Sequence, residues 1–154
     1  MKPPPDAEQR RRRLIESHSA AETEALGARI AEGLEPGAIV VVSGDLGAGK
    51  TTLVRGACRA LGVDEPVTSP TFTIGQRYRG DGIWVSHLDL YRLPGLDGED
   101  PALLDDYLSP DAIVFIEWPA AAAGHLRRPA LEVRMRHGGG DRREIELDSA
   151  SSRA

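Results

Sequence analysis

The chain has 154 residues, of which 40% are hydrophobic and 28% are charged, the ordinary composition of one globular domain with a sizeable core. No apolar run approaches the length of a membrane span and no apolar segment follows the first charged residues, so we expect neither a membrane protein nor a secreted one. The formal net charge is −5, with 24 acidic against 19 basic side chains, a balance poorly suited to gripping a nucleic-acid backbone alone.

The N-terminal segment is basic and contains a run of prolines. Residues 3–5 are three consecutive prolines and residues 10–13 are four consecutive arginines. Such a segment is typical of a solvated tail. We therefore expect residues 1–15 to form a flexible tail, residues 16–148 a single domain, and residues 149–154 a frayed C-terminus.

A helix and a strand are predicted after the tail. Ser19 and Glu22 have the spacing of a capping box, which marks the start of a helix. The apolar stripe of this helix is formed by Leu26, Ile30 and Leu34. Proline and glycine at residues 36–37 predict its end. The β-branched run at residues 39–43 then predicts a short buried strand.

A phosphate-loop pattern follows this strand. Residues 44–51 read Gly-Asp-Leu-Gly-Ala-Gly-Lys-Thr and match G-x-x-x-x-G-K-S/T at every position. A helix is predicted after them from an apolar face with a period of four residues, formed by Leu53, Ala57 and Leu61. In a loop between a strand and a helix, backbone amides cradle phosphates and the helix N-terminus adds its dipole. The pattern predicts a nucleotide-phosphate site; the alternative is a glycine-rich turn without a ligand.

The lysine of this pattern stands out in the composition. Among the 19 basic residues only Lys2 and Lys50 are lysine, and the others are arginine. A compact ammonium fits inside a ring of backbone amides and reaches phosphate oxygens, where a planar guanidinium would not. We therefore expect Lys50 to contact the phosphates.

The only cysteine is Cys58. It cannot form an internal disulfide, and it falls on the apolar face of the helix after the phosphate loop. We predict a small core residue rather than a nucleophile. A reducing, cytoplasmic compartment is expected for this cysteine usage.

Two predicted strands end in a carboxylate. Residues 73–78 and 83–88 flank a glycine-containing turn and predict a hairpin whose second strand ends at Asp89. The apolar run at residues 112–116 predicts another strand, which ends at Glu117. In P-loop proteins Mg²⁺ sits at this edge of the sheet, held by a carboxylate. The two acids predict a metal site and leave open which one is the primary ligand; the alternative is that one of them only caps a neighbouring helix.

Other residues near these acids have two interpretations each. Residues 67–73 carry four hydroxyl side chains around Pro70, which is typical of a turn into a strand and also of a switch that senses a γ-phosphate. Trp118 could stack on a nucleobase or pack in the core. We treat His87 as structural rather than catalytic.

The remaining elements complete a fold prediction. A helix is expected at residues 100–108, a short helix at residues 120–128, and a closing hairpin at residues 130–136 and 142–147. With the strand–loop–helix unit they predict an α/β fold: a P-loop NTPase-like mixed β-sheet flanked by helices, with antiparallel hairpins.

Four blocks of sequence, in this order, resemble the TsaE (YjeE) family of small bacterial ATPases. The first is residues 44–52, and the others are Ser69-Pro70-Thr71-Phe72, His87-Leu88-Asp89-Leu90-Tyr91-Arg92 and Ile116-Glu117-Trp118-Pro119. The resemblance implies a mixed sheet with helices on its faces and binding of ATP and Mg²⁺. It also implies work with TsaB and TsaD in making the threonylcarbamoyladenosine modification next to the anticodon of certain tRNAs. In the family TsaD carries the transfer chemistry, and hydrolysis by TsaE is thought to reset the complex between turnovers.

The resemblance further implies roles for individual residues. The phosphates would be held by Lys50 and by the loop residues Asp45, Gly47, Ala48, Gly49, Thr51 and Thr52. Thr51 and Glu117 would hold the metal and Asp89 would order water or metal nearby, so the catalytic residues would be Lys50, Asp89 and Glu117. Trp118 would lie by the base, and Arg143, near the last strand, would be a further nucleotide contact.

The expected reaction is in-line attack of water on the γ-phosphate of ATP, catalysed mostly by positioning and charge neutralisation. Arg92 and Arg143 are the internal candidates for an arginine finger. Since a phosphate-loop site without one hydrolyses slowly, we expect the protein to need its partner subunits, and we expect no stable tRNA binding by this chain alone. The main alternative is a small P-loop metabolite kinase, with Arg127 and Arg128 as its lid. A GTP-dependent switch usually carries an Asn-Lys-x-Asp motif, and this chain has no asparagine.

Overall fold

The computed structural model of the protein describes residues 10–45, 47–68, 75–90, 105–117 and 129–150. These residues form seven strands and two helices. In chain order the elements are β1 (Arg10–Ser17), α1 (Ala20–Glu32), β2 (Ile39–Gly44), α2 (Lys50–Ala60), β3 (Gly75–Arg79), β4 (Trp84–Asp89), β5 (Ala112–Glu117), β6 (Leu131–His137) and β7 (Arg143–Ala150).

All seven described strands join one sheet, in the order β1-β7-β6-β2-β5-β4-β3. The strand before the phosphate loop, β2, lies in the middle and runs parallel to β5 and β6, and β4 runs parallel to β5. The pairs β3–β4, β6–β7 and β1–β7 are antiparallel. The predicted mixed α/β sheet with its antiparallel hairpins is confirmed.

The central strands are apolar throughout because both faces of the sheet are covered there. On one face, called the helix face below, Val42 of β2 and Phe115 of β5 pack with the buried side chains of α1 and α2. On the opposite face Val41 and Ile116 join a second cluster, against which Tyr107 packs. The phosphate loop therefore follows a central strand whose first four residues are buried.

The two described helices approach each other at the level of their backbones. A Cβ at Gly27 would lie 2.0 Å from the carbonyl oxygen of Leu53, and a Cβ at Gly56 would lie 2.0 Å from the carbonyl oxygen of Glu24. The carboxylate of Glu24 also pairs with Arg59 at 3.2 Å. Only glycine fits at residues 27 and 56, where the two helices cross. Residues at the start of both helices line one cavity.

The predicted start of α1 is confirmed and its predicted end is wrong. Ser19 is the N-cap and its hydroxyl accepts the amide of Glu22, while the carboxylate of Glu22 accepts the amide of His18 at 2.7 Å. The helix ends at Gly33, before the predicted stop at residues 36–37. Gly33 closes a tighter last turn by donating its amide to carbonyls of the preceding residues, so the chain leaves the helix without proline.

The predicted flexible tail is wrong for residues 10–15. These residues belong to β1, which pairs with β7 from Arg10 opposite Ala150 to Ser17 opposite Arg143. Residues 149 and 150, predicted to be frayed, likewise lie in β7. The ordered domain therefore extends beyond both predicted boundaries.

Backbone pairing explains how four arginines fit into a strand. The ladder uses main-chain groups, and charged side chains are common on an edge strand such as β1. The side chains of residues 11–13 are exposed, and Nε of Arg12 lies 3.7 Å from the carboxylate of Glu146. Ile15 packs against the core of the helix face. This strand was not predicted because residues 10–17 lack the alternation of apolar and polar side chains from which a strand is predicted.

Several predicted features lie outside the described residues. They are residues 69–73 of the hydroxyl segment at residues 67–73, the helix at residues 120–128 and most of the helix at residues 100–108, of which residues 105–108 are described. Within the described ranges, neither helix is long and apolar enough to cross a membrane. Cys58 is fully buried, as predicted, and burial raises the pKa of its thiol to about 12.

Candidate nucleotide-binding site

The phosphate loop joins β2 to α2 with a backbone that depends on glycine. Gly44, Gly47 and Gly49 have φ angles of 150°, 80° and 98°, in the region where other residues are strained. Gly49 is the N-cap of α2 and contributes no side-chain cap. The predicted strand–loop–helix unit is confirmed, and a ligand can satisfy the first amides of α2 where other helices use a capping side chain.

The other described loop residues differ in their burial, and one of them closes a turn. The amide of Ala48 donates to the carbonyl of Asp45 at 3.0 Å and closes a turn within the loop. Ala48 is buried, the side chain of Asp45 is exposed and Thr52 is half-buried on the first turn of α2. The loop thus has glycines at residues 47 and 49 and a buried alanine between them, which leaves room for a phosphate to approach its backbone amides.

Lys50 is buried at the base of the loop. Its Nζ donates to the carbonyl of Gly44 at 2.8 Å and to that of Asp45 at 3.1 Å, and the residue is 7% exposed. Burial lowers the pKa of Lys50, and the negative charges of Glu117, Asp89 and Asp45 act in the opposite direction. The ammonium is therefore held inside the loop and close to both acids that end the predicted strands.

The two acids meet at one edge of the sheet. The register of β4 and β5 places Asp89 opposite Glu117, and that of β2 and β5 places Val42 opposite Glu117. Both carboxylates therefore lie at the carboxyl ends of parallel strands, next to the strand that enters the loop. The predicted juxtaposition is correct, and within the described residues the N-caps of the two helices are Ser19 and Gly49, not these acids.

Thr51 and Glu117 present oxygen atoms to each other. Oγ1 of Thr51 lies 3.3 Å and 3.4 Å from the two carboxylate oxygens of Glu117, which is 3% exposed. Among the described residues no cluster of three His, Cys, Asp or Glu side chains could hold a metal by itself. A hydroxyl and a carboxylate beside a phosphate cradle fit Mg²⁺, which keeps water and phosphate oxygens among its ligands.

One residue of this group was not predicted to belong to it. Nε2 of His87 lies 2.6 Å from Oε2 of Glu117, and the histidine is fully buried. His87 shares a strand face with Asp89, two residues further on, because side chains alternate along a strand. That alternation, together with the block His87-Leu88-Asp89 of the resemblance, is the signal in the sequence that could have linked it to the acids.

A surface cavity opens beside the loop. Its lining joins the start of α1, the start of α2 and the turn before β7, and consists of Ser19, Ala20, Thr23, Gly49, Thr52, Asp141 and Arg143. The resemblance implied that Thr52 and Arg143 contact the same nucleotide, and they line the same cavity.

The turn between β6 and β7 borders the loop on another side. Nε2 of His137 would lie 3.6 Å from a Cβ at Gly47, a neighbour that the sequence did not indicate. Nη1 of Arg143 donates to the carbonyls of Gly140 at 2.7 Å and Arg142 at 3.0 Å. These bonds tie the arginine to its own turn.

Other residues proposed from the sequence lie outside the described ranges. Trp118 follows the last described residue of β5, and Arg92, Arg127 and Arg128 are likewise not described. Their roles at the nucleotide stay predictions.

Comparison with known proteins gives one consistent result. The family model described as "Threonylcarbamoyl adenosine biosynthesis protein TsaE" matches residues 17–145. The chain is 44% identical to the tRNA threonylcarbamoyladenosine biosynthesis protein TsaE of Streptomyces coelicolor over 75% of this chain and 80% of that protein. It is 33% identical to the protein of the same name from Bacillus subtilis over 86% of this chain and 82% of that protein. The crystal structure of YdiB from Bacillus subtilis superposes with a TM-score of 0.76 at 28% identity, covering 92% of this chain and 88% of that chain. The chain belongs to the TsaE family of threonylcarbamoyladenosine biosynthesis proteins.

Proposed function

We propose that this protein is a Mg²⁺-dependent ATPase that hydrolyses ATP to ADP and phosphate. The observation that carries the proposal is the contact of Thr51 with Glu117, at 3.3 Å and 3.4 Å, directly beside the buried Lys50. A phosphate cradle, a buried ammonium and a hydroxyl–carboxylate pair together supply what a P-loop ATPase needs.

In this proposal each group has one task. The amides of residues 47–52 and the ammonium of Lys50 hold the phosphates, and Oγ1 of Thr51 and the carboxylate of Glu117 hold the metal. A metal held there by Thr51 and Glu117 would supply positive charge to neutralise the negative charge that develops during transfer. Asp89, opposite Glu117 in the strand register, orders water near the metal. The chain's residues catalyse by positioning and by charge rather than by covalent chemistry.

The nucleoside half of ATP is proposed to extend from the loop into the cavity beside Thr52 and Arg143. That cavity adjoins the first turn of α2, so a ligand whose phosphates sit on the loop can reach it without a change in the fold. Hydroxyl and guanidinium groups in the lining suit a ribose and a polar base edge.

We further propose that the ATPase works with TsaB and TsaD in the modification of tRNA, as a regulator that resets their complex. The side chain of Arg143 is already bonded to the carbonyls of Gly140 and Arg142, which supports a site in which Arg143 is not the arginine finger; the other internal candidate, Arg92, lies outside the described residues. An arginine supplied by a partner is worth about 10³–10⁵-fold in such a site. The acidic net charge of −5 supports a protein that does not hold tRNA stably by itself.

The test is a turnover measurement on Glu117→Gln with Glu35→Gln as the matched control. Glutamine keeps the size of Glu117 but removes its charge and replaces one accepting oxygen with a donating NH₂ group, and Glu35 is an exposed acid outside the site. We expect Glu117→Gln to lose about 10²–10³-fold in phosphate release with an unchanged unfolding temperature, and the control to match the wild type.

Two further readouts decide the role. Wild-type turnover should rise when TsaB and TsaD are added, and inorganic phosphate should account for all the ATP consumed. Fast hydrolysis that partners do not change would contradict the regulatory role. Formation of a phosphorylated small molecule instead of inorganic phosphate would indicate a metabolite kinase rather than an ATPase. Full activity of Glu117→Gln would show that Glu117 is not part of the site.

A further inference from the structure

His87 is a buried polar side chain that the proposed ATPase function does not yet use. It lies on β4, where the register places it opposite Phe115 and places Asp89 opposite Glu117. Its side chain reaches diagonally across to β5, and Nε2 lies 2.6 Å from Oε2 of Glu117. The two side chains are 0% and 3% exposed, so neither group can exchange this contact for bulk water.

The distances around Glu117 indicate which partner fixes its carboxylate. A hydrogen bond between a hydroxyl and a carboxylate has its usual length near 2.5–2.8 Å, about half an ångström shorter than the 3.3 Å and 3.4 Å to Oγ1 of Thr51. The His87 contact at 2.6 Å is a short, charge-assisted bond. A carboxylate buried to this extent needs such a bond, and His87 is therefore its principal anchor among the described residues.

The direction of this bond follows from the chemistry of the two groups. An ionised carboxylate only accepts, so Nε2 of His87 carries the proton. None of the described residues forms a hydrogen bond with Nδ1, and a bare ring nitrogen there is less costly than a buried N–H without an acceptor. The 2.6 Å contact is therefore assigned as a hydrogen bond from Nε2 of His87 to Oε2 of Glu117. His87 then holds Oε2, while Oε1 stays 3.3 Å from the hydroxyl of Thr51.

We propose that His87 is a positioning residue: it donates Nε2–H to Glu117 and holds that carboxylate facing Thr51, so that Thr51 and Glu117 together can bind a divalent cation. The inference rests on the proposed function, because it needs a metal at Thr51 and Glu117. It adds that the Mg²⁺-dependent part of nucleotide binding depends on a residue that touches neither metal nor nucleotide. A hydrogen bond to a metal ligand typically changes metal affinity by 10–100-fold.

The experiment compares His87→Leu with His87→Gln in the full chain. Leucine fills the space without a donor, and the glutamine amide nitrogen can reach the position of Nε2. The fluorescent ATP analogue mant-ATP is titrated in EDTA and at increasing Mg²⁺ for both variants and the wild type, and unfolding temperatures are recorded in EDTA. We expect His87→Leu to need about 10–100-fold more Mg²⁺ for the same tightening, with affinity in EDTA unchanged within about twofold, and His87→Gln to restore most of the wild-type response.

The outcomes separate this inference from the proposed function. A wild type whose mant-ATP affinity ignores Mg²⁺ would overturn the metal site and the positioning role together. A wild-type response that His87→Leu retains in full would overturn the positioning role alone, and so would equal losses in His87→Leu and His87→Gln, since they would indicate packing only. If His87→Leu does not fold, His87→Asn takes its place: it carries the same amide as glutamine on a shorter side chain, and equal behaviour of the two amides would overturn the proposal.

Discussion

The Gly56→Ala substitution has two opposite effects on the free energy of unfolding: alanine favours the helix, but its Cβ overlaps the backbone at the contact between α1 and α2. In a helix interior alanine is favoured over glycine by about 1 kcal/mol. Against this gain, the new Cβ would lie 2.0 Å from the carbonyl oxygen and 2.6 Å from Cα of Glu24, where ordinary contact begins at 3.4 Å. Both atoms belong to the backbone, so no rotamer change relieves the overlap, and the helices must move apart by about 1.4 Å to reach ordinary contact.

The size of the net effect follows from these terms. Overpacking of a well-packed contact costs about 1–3 kcal/mol, and more where the backbone itself must shift. Because the overlapping atoms of Glu24 are backbone, the upper part of this range, about 2–3 kcal/mol, applies. Subtracting the helix gain of about 1 kcal/mol, we expect Gly56→Ala to lower the free energy of unfolding by about 1–2 kcal/mol, which corresponds to about 2–8 °C in unfolding temperature for a chain of this size. Urea and thermal unfolding followed by circular dichroism measure both quantities.

A matched control is available at Gly33, where φ is −94° and a Cβ would lie 3.8 Å from the nearest atom, the carbonyl oxygen of Ile30. Gly33→Ala should therefore stay within about 0.5 kcal/mol of the wild type. Wild-type or higher stability of Gly56→Ala would refute the close backbone approach of the two helices.

Two further predictions test the strand that the sequence concealed and the core. Ile15→Ala should lower the free energy of unfolding by about 1–2 kcal/mol, which is below the range for a fully buried isoleucine because this side chain is only partly buried. The control is Leu14→Ala, at a position that is 82% exposed, which should change the free energy of unfolding by less than about 0.5 kcal/mol. Equal, negligible effects in urea unfolding would favour a tail at residues 10–15 over a strand. The side chain of Cys58 is 0% exposed, and burial raises the pKa of its thiol to about 12. The thiol therefore stays protonated at mildly alkaline pH and should react with a thiol reagent only as fast as the protein unfolds. Rapid labelling of the native protein would contradict this burial.

The parts of the fold that were predictable are those fixed by local sequence. Residues 44–51 carry their own backbone geometry in three glycines with positive φ, and the capping of α1 is decided within four residues by Ser19 and Glu22. The meeting of Asp89 with Glu117 was predictable for another reason: parallel strands that flank one another deliver their last residues to the same edge of the sheet. Apolar runs identified those strands before any register was known.

The parts that were missed depend on pairing between distant segments. In β1 the main chain bonds to β7, more than a hundred residues later, and a strand held mainly by its backbone on an edge leaves little trace in side-chain pattern. His87 is predicted to be structural because a lone histidine near a strand end usually is, and its actual partner depends on a diagonal contact between two strands. Sequence alone gives the strands but not their register, and a shift of one residue would turn the histidine to the other face.

The buried pair of His87 and Glu117 is better explained by function than by stability. Placing two polar groups at 0% and 3% exposure costs desolvation that their 2.6 Å contact only partly offsets. Apolar side chains of similar volume would serve the core at least as well, and often better by about 1–4 kcal/mol. The fold accepts this cost directly beside a buried lysine and the hydroxyl of Thr51, and nowhere else among the described residues do a histidine and a carboxylate meet in the core. In the proposed ATPase, the carboxylate of Glu117 at the end of a central strand would hold a cation together with the phosphates, and its bond to His87 would keep it in place for that task.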